Sequence, residues 1–512
     1  MSYFNFDFKT IFIGLSIEYF ILFSTIMLLV FGVISQKIYN KQNNEFYFVK
    51  NIYAITKILI LVYSLSLILW LTTATNYKDL QDLVTYSLFY DSIISNPFIF
   101  FIKILITITT IIVFIICLYF YKNEKIYSFE FPIVISLVSF SLYVLVSSAD
   151  LILLYLAMEL QGLSLYILCA FLQKKNKIIE SAIKYFIMGA VASGFYLFGT
   201  SLIYWELGTL NLIEIEKLLS VGVFDSEFNI LLAFIFILIA FFFKLGVAPL
   251  HTWLVDVYEG APTLAVTYMS VVPKIAVFAV LVRFLDIFYN STIISLYGNQ
   301  VLLYLSIFSI LIGIFGAYFQ EKIRSFVAYS SIANMGYLLL MVSVLSFESN
   351  FNFIEFSVSV YLIIYSTILL SIFIIINYLT HWSNNNNIVY LKEISGLGQS
   401  KYKQGISIIL SLSLFSLMGI PPLAGFFSKF YIIFNLLYFN NYILALLLLL
   451  CGVLGTIYYL RVIKLLFFDK RNIIFIEPIP IPILLILILL VLFQVCLWFN
   501  SSLLSLIFLF LI

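Results

Sequence analysis

Charge is scarce in this chain. Only 10% of its 512 residues are Asp, Glu, Lys or Arg, where a soluble globule carries roughly 25%. With 63% hydrophobic residues and a mean hydropathy of +1.13, it cannot coat itself for water, which excludes the soluble globular class. Histidine is nearly missing. His251 and His381 are the two present, too few for the two bis-histidine haems of a cytochrome b. The four cysteines, Cys117, Cys169, Cys451 and Cys496, lie in apolar runs with no CxxC; they read as small buried hydrophobes and exclude a cysteine-held iron–sulfur centre. Gly313 and Gly316 in GIFGAY form no dinucleotide-binding loop. A net charge of +2 gives no reason to expect nucleic acid as a partner. No cofactor, metal or redox chemistry is expected in this chain itself.

Apolar runs of about 20 residues, the length that crosses roughly 30 Å of hydrocarbon, recur from end to end. Fourteen spans are expected near 11–34, 52–74, 98–120, 131–148, 150–172, 181–205, 229–250, 264–283, 300–319, 325–345, 353–378, 405–434, 441–463 and 481–510, with a solvated loop containing Asn384 to Asn387. Loops after odd-numbered spans hold 17 of the 27 basic residues, Lys122, Lys125, Lys174, Lys175, Lys322 and Arg324 among them. Loops after even-numbered spans are mainly acidic, with Asp79, Asp82, Glu214 and Glu216. By the positive-inside rule the odd loops face the cytoplasm or matrix and both termini face the other side.

Against this background the charges inside spans stand out. Lys57 and Lys103 lie near span ends and are expected to snorkel to the interface; Glu18 has no clear reading. Glu159, Lys184, Lys244, Lys274 and Lys429 lie deeper. Each charge at the bilayer centre costs about 2.5–3.5 kcal/mol, so five cost on the order of 12–18 kcal/mol, comparable to a domain's whole stability. Function is the better explanation than helix stapling, because a buried lysine gains and loses its proton as a carboxylate approaches or withdraws. Tyr155, Gly162 and Tyr166 share the helical face of Glu159. Pro249, Pro273 and the Pro421–Pro422 pair free backbone carbonyls near the lysines, and irregular backbone at membrane depth is tolerated where it lines a hydrated cavity. His251, beside the span-seven break, is a further relay candidate. Broken spans seven and twelve run in opposite directions, which indicates inverted repeats of spans 4–8 and 9–13.

The fold class is therefore an all-α polytopic membrane protein of about 14 transmembrane helices, with two inverted five-helix repeats and broken helices 7 and 12. Its parts are a three-helix segment at 1–125, repeats at 126–290 and 291–470, and a C-terminal helix at 471–512.

FFFKLGVAPLHTWLVDVYEGAP, VVPKIAVF, RSFVAYSSIANMGYL, MGIPPLAGFFSKFY and AMELQGLSLYIL together resemble the antiporter-like subunits of respiratory complex I, NADH:ubiquinone oxidoreductase. DVYEGAP and a lysine in span twelve resemble the subunit 2 (bacterial N) branch, whereas subunit 4 carries a glutamate near the position of Lys429. The resemblance covers about residues 130 to 470. It implies a proton-translocating module in which Glu159, Lys184, Lys244, Lys274 and Lys429 form the relay, with Lys184 as a partner for Glu159. It also implies that NADH, FMN, iron–sulfur clusters and ubiquinone are bound by partner subunits. The implied partners are other membrane-arm subunits, including subunit 4 and the small membrane subunits, and lipids. The implied location is the mitochondrial inner membrane, in keeping with a composition typical of AT-rich organelle genomes, or a bacterial plasma membrane. A subunit of a cation/proton antiporter or membrane-bound hydrogenase would share the helix-seven and helix-twelve pattern. A purely structural subunit would use the charges only to fix helix register.

Overall fold

In a computed structural model the described residues are 15–39, 45–75, 86–172, 176–222, 226–289, 291, 294–345, 351–381, 389–399, 404–469 and 479–499. The Asn384–Asn387 loop, the first residues of expected span one and the end of span fourteen lie outside them. Twelve helices among the described residues are long and apolar enough to cross a membrane. In chain order the first six spans are α1 (Ser16–Tyr39), α2 (Glu45–Thr75), α3 (Pro97–Glu124), α4 (Glu130–Ser147), α5 (Leu151–Cys169) and α6 (Asn176–Leu207). A short helix α7 (Leu212–Val221) precedes span seven, which is split into α8 (Glu227–Leu245) and α9 (Thr252–Gly260). Then follow α10 (Thr263–Phe288), α11 (Asn299–Phe319), α12 (Ile323–Leu345) and α13 (Phe351–His381). Span twelve is split into α14 (Gln404–Met418) and α15 (Gly425–Tyr438), and α16 (Tyr442–Phe467) and α17 (Ile481–Phe499) complete the set. The fourteen expected spans are thus the twelve, together with α10 and the α14–α15 pair.

Two features escaped the span reading. A hairpin of β1 (Tyr86–Leu88) and β2 (Ile93–Ser95) pairs Tyr86 with Ser95, and α7 is capped at its start by Asn211, whose side chain accepts from the Ile213 N–H at 2.9 Å.

The two breaks are built alike. Gly246 ends α8 at φ 72°, with its N–H on the Phe243 carbonyl and the Val247 N–H on that of Phe242. Gly419 ends α14 at φ 82°, with its N–H on the Ser416 carbonyl and the Ile420 N–H on that of Phe415. Only glycine takes this left-handed backbone without a Cβ penalty, so it stops a helix here as it does at soluble C-caps. Each glycine is followed at the same spacing, GVAP and GIPP, by a cis proline bond, Ala248–Pro249 and Pro421–Pro422. Pro273 differs. It lies inside α10, which runs through it unbroken from Thr263 to Phe288, and it has no N–H to return to the Met269 carbonyl. A missing N–H deletes a single ladder bond, and α10 is packed on nearly every side, so the helix continues through it.

Helices α10, α12 and α13 form the buried centre, while α1, α2, α6, α16 and α17 turn large apolar side chains outward. Lipid is as apolar as leucine, so close packing rather than exclusion from water joins such helices. Gly313 serves this end: a Cβ there would lie 2.7 Å from the Ala333 Cβ of α12.

Candidate proton path

Lys244 occupies the last turn of α8, buried, just before the Gly246 break. Its Nζ donates to the Met158 carbonyl of α5 at 3.4 Å and stands 6.0 Å from the Tyr166 ring centroid. Glu159, the next residue along α5, is partly buried. Among the described residues no carboxylate is in ion-pair contact with Lys244. Across the break the Trp253 indole N–H, on α9, donates to the Phe243 carbonyl at 3.1 Å.

Lys274, on α10, is 3% exposed. Its Nζ donates to Ser331 Oγ of α12 at 3.1 Å and Tyr365 Oη of α13 at 3.4 Å, and it lies 5.7 Å from the Tyr258 ring of α9. Lys429, on α15, reaches back over the second break: its Nζ donates to the Met418 carbonyl at 2.9 Å and stands 5.3 Å from the Tyr337 ring. The lysine therefore satisfies the last carbonyl of α14, a group that a helix end leaves without a partner. A small cavity lies beside Lys429. Lys429, Ser416, Ser428, Asn334, Tyr361 and Tyr365 help to line it, and Tyr361 Oη donates to Asn334 Oδ1 at 3.1 Å. Tyr365 thus touches Lys274 with its hydroxyl and borders the space that Lys429 faces. Hydroxyls both donate and accept, which is what a proton needs to pass along such a row.

The other expected residues fall elsewhere. Lys184 does not meet Glu159. It lies 47% exposed on α6, with Glu180 one turn away at 2.9 Å and Asp256 of α9 also at 2.9 Å. Asp256 belongs to the DVYEGAP stretch 72 residues on, a partner that helical periodicity does not reveal. His251 is partly buried at the start of α9, 6.3 Å from the Tyr329 ring. Its Nδ1 is buried without a hydrogen bond to a described group, and the hydrogen bonds of Lys244 and Lys274 go to other residues. Lys103 does not snorkel. It is 1% exposed and forms a 2.5 Å ion pair with the equally enclosed Glu18, beside the Trp70 ring at 5.5 Å. Lys57 is exposed on α2.

Residues outside the expected set fix the corner between α9 and α10. Glu259 pairs with Lys322 and accepts from Ser325 Oγ at 3.3 Å. Arg324 donates to the Ala261 carbonyl at 3.1 Å. Glu124, at the end of α3, accepts the Leu264 N–H at 3.0 Å and so caps the helix that carries Lys274. Among the described residues no group of three or more His, Cys, Asp or Glu is placed to hold a metal.

Three lysines on three helices, two beside matching helix breaks, set the frame for comparison with known proteins. Residues 148–455, well over half the chain and all of the path from Glu159 to Lys429, match the family model described as NADH:quinone oxidoreductase/Mrp antiporter, TM. The chain belongs to this family. NADH-ubiquinone oxidoreductase chain 2 of Marchantia polymorpha is 33% identical over 463 residues, 90% of this chain and 89% of the relative. NADH-quinone oxidoreductase subunit N of Pelagibacter ubique is 37% identical over 387 residues, 75% of this chain and 79% of the relative. Among solved structures, a chain of respiratory complex I from Thermus thermophilus has a TM-score of 0.75 at 21% identity, covering 95% of this chain and 97% of that one. A chain of the archaeal membrane-bound sulfane sulfur reductase has 0.79 at 20%, covering 97% and 96%. At these identities the structural likeness speaks for the fold of the NADH:quinone oxidoreductase/Mrp antiporter family.

Proposed function

We propose that this chain is the proton-translocating membrane subunit, of the subunit 2 or N type, of an NADH:quinone oxidoreductase, and that Lys244, Lys274 and Lys429 carry the proton. The observation that carries the relay is the place of Tyr365, bonded to Lys274 on one side and lining the cavity that Lys429 also lines, with none of the three lysines in ion-pair contact with a carboxylate among the described residues. A lysine locked to a carboxylate would hold its charge; one bonded to carbonyls and hydroxyls can release it. Glu159, next to the Met158 carbonyl that Lys244 touches, is the carboxylate whose approach loads the first lysine. Lys184, paired with Asp256 between α6 and α9, and His251, at the break, are side stations. Relatives at 33–37% identity named as NADH dehydrogenase subunits support the complex I reading over a free-standing antiporter or a hydrogenase subunit.

The basic residues of the odd-numbered connections support an orientation with those connections in the matrix or cytoplasm and both termini on the intermembrane-space or periplasmic side. Moving one charge against the field costs about 2.3 kcal/mol per 100 mV. No redox group is proposed for this chain, so quinone reduction in partner subunits, subunit 4 and the small membrane subunits among the assembly, supplies the energy. Purification in mild detergent tests this. The chain is expected to travel with an assembly that oxidises NADH and acidifies the outer side when reconstituted. Sodium-driven pH gradients in proteoliposomes holding the chain alone would overturn it in favour of an antiporter.

A further inference from the structure

The Lys244 site contains a notch that the relay does not account for. A Cβ built on Gly162 of α5 would lie 2.9 Å from Lys244 Nζ and 3.2 Å from Tyr166 Oη. A Cβ on Gly189 of α6 would overlap the Tyr166 hydroxyl outright and come within 2.8 Å of its Cζ. Two glycines on neighbouring helices therefore keep open the space that the phenol and the ammonium both border, and no hydrogen bond joins the two in this arrangement. The Tyr166 ring is fixed by edge contacts with Tyr185 at 4.7 Å and Phe186 at 5.7 Å, so its hydroxyl has little freedom to leave.

Lys244 must be held in two states if it passes protons. The ammonium needs acceptors, and the Met158 carbonyl is one. The neutral amine has a lone pair that seeks a donor, which a carbonyl cannot supply and a phenol can. We infer that Tyr166, seated in the Gly162–Gly189 notch, is the positioning residue that holds Lys244 in place after it has released its proton. This rests on the relay reading of Lys244. No net transfer through the phenol is required: it accepts from the charged lysine, donates to the neutral one, and keeps its own proton.

The test compares protons translocated per electron in proteoliposomes of the whole complex for Tyr166→Phe, Gly162→Ala, Lys244→Met and a control. Tyr166→Phe keeps the ring and removes the hydroxyl. Gly162→Ala presses most closely on the flexible end of Lys244, so the chain folds while that end is displaced from the phenol. The control is Gly194→Ala, whose new methyl meets no atom of this chain within 4 Å. Tyr166→Phe and Gly162→Ala are each expected to show at least half of the loss seen in Lys244→Met, with unchanged amounts of assembled complex, while the control keeps the full ratio. A full ratio in Tyr166→Phe alongside a loss in Lys244→Met overturns the inference and leaves the relay standing. A full ratio in Lys244→Met overturns the relay and the inference with it.

Discussion

Tyr365→Phe isolates the link between Lys274 and Lys429. The substitution removes one oxygen from α13 and keeps the ring, so packing at the buried centre changes little. What is lost is the contact between Lys274 Nζ and Tyr365 Oη at 3.4 Å, and with it a hydroxyl on the wall of the cavity that Lys429 faces. A hydrogen bond to a charged group contributes about 1.5–3 kcal/mol. The 3.4 Å separation is long, and Ser331 remains at 3.1 Å as a second partner, so the low end applies. A barrier raised by about 1.5 kcal/mol slows a step about tenfold. Proteoliposomes of the assembled complex, with NADH oxidation and acidification recorded together, would then show slower pumping per electron at high turnover. The deficit should shrink when turnover is throttled, because a slowed hop has time to complete. A wild-type ratio at full turnover would refute a path through Tyr365.

Three further outcomes follow from the packing. Lys103→Met leaves Glu18 buried without its cation and should cost about 3–5 kcal/mol, read as a lower thermal midpoint of the assembled complex. The double replacement Glu18→Leu with Lys103→Met should recover most of that loss, because matched apolar side chains replace a buried pair at little cost. Glu124→Ala removes the acceptor for the Leu264 N–H at the start of α10 and should cost about 0.5–2 kcal/mol, as other lost helix caps do; limited proteolysis near Ala261 reports it.

The spans were readable because lipid demands length and apolarity from every crossing segment, and those are local properties. The breaks of spans seven and twelve were readable from Pro249 and the Pro421–Pro422 pair, whereas Gly246 and Gly419, which end the helices at positive φ, were not singled out. Pro273 carries a local signal like that of Pro249, yet α10 continues through it, because whether a proline ends a helix depends on the residues around it. Partners were the least legible part. Lys103 stands close enough to a span end to snorkel, and only the fold brings Glu18, 85 residues away, to within 2.5 Å of it. Lys184 pairs with Asp256 across 72 residues, not with the nearer Glu159. Tyr365 and Ser331 gave no signal among 36 tyrosines and many serines, since a hydroxyl on a membrane helix usually satisfies its own backbone. Charge at depth is rare enough to be noticed in sequence; the hydroxyls that connect it are not.

The central claim is that protons pass through the row of unpaired lysines beginning at Lys244, and Lys244→Met tests it most directly. In reconstituted complex matched for NADH oxidation, protons delivered per electron should fall while the assembled complex keeps its composition. An unchanged ratio would contradict the account.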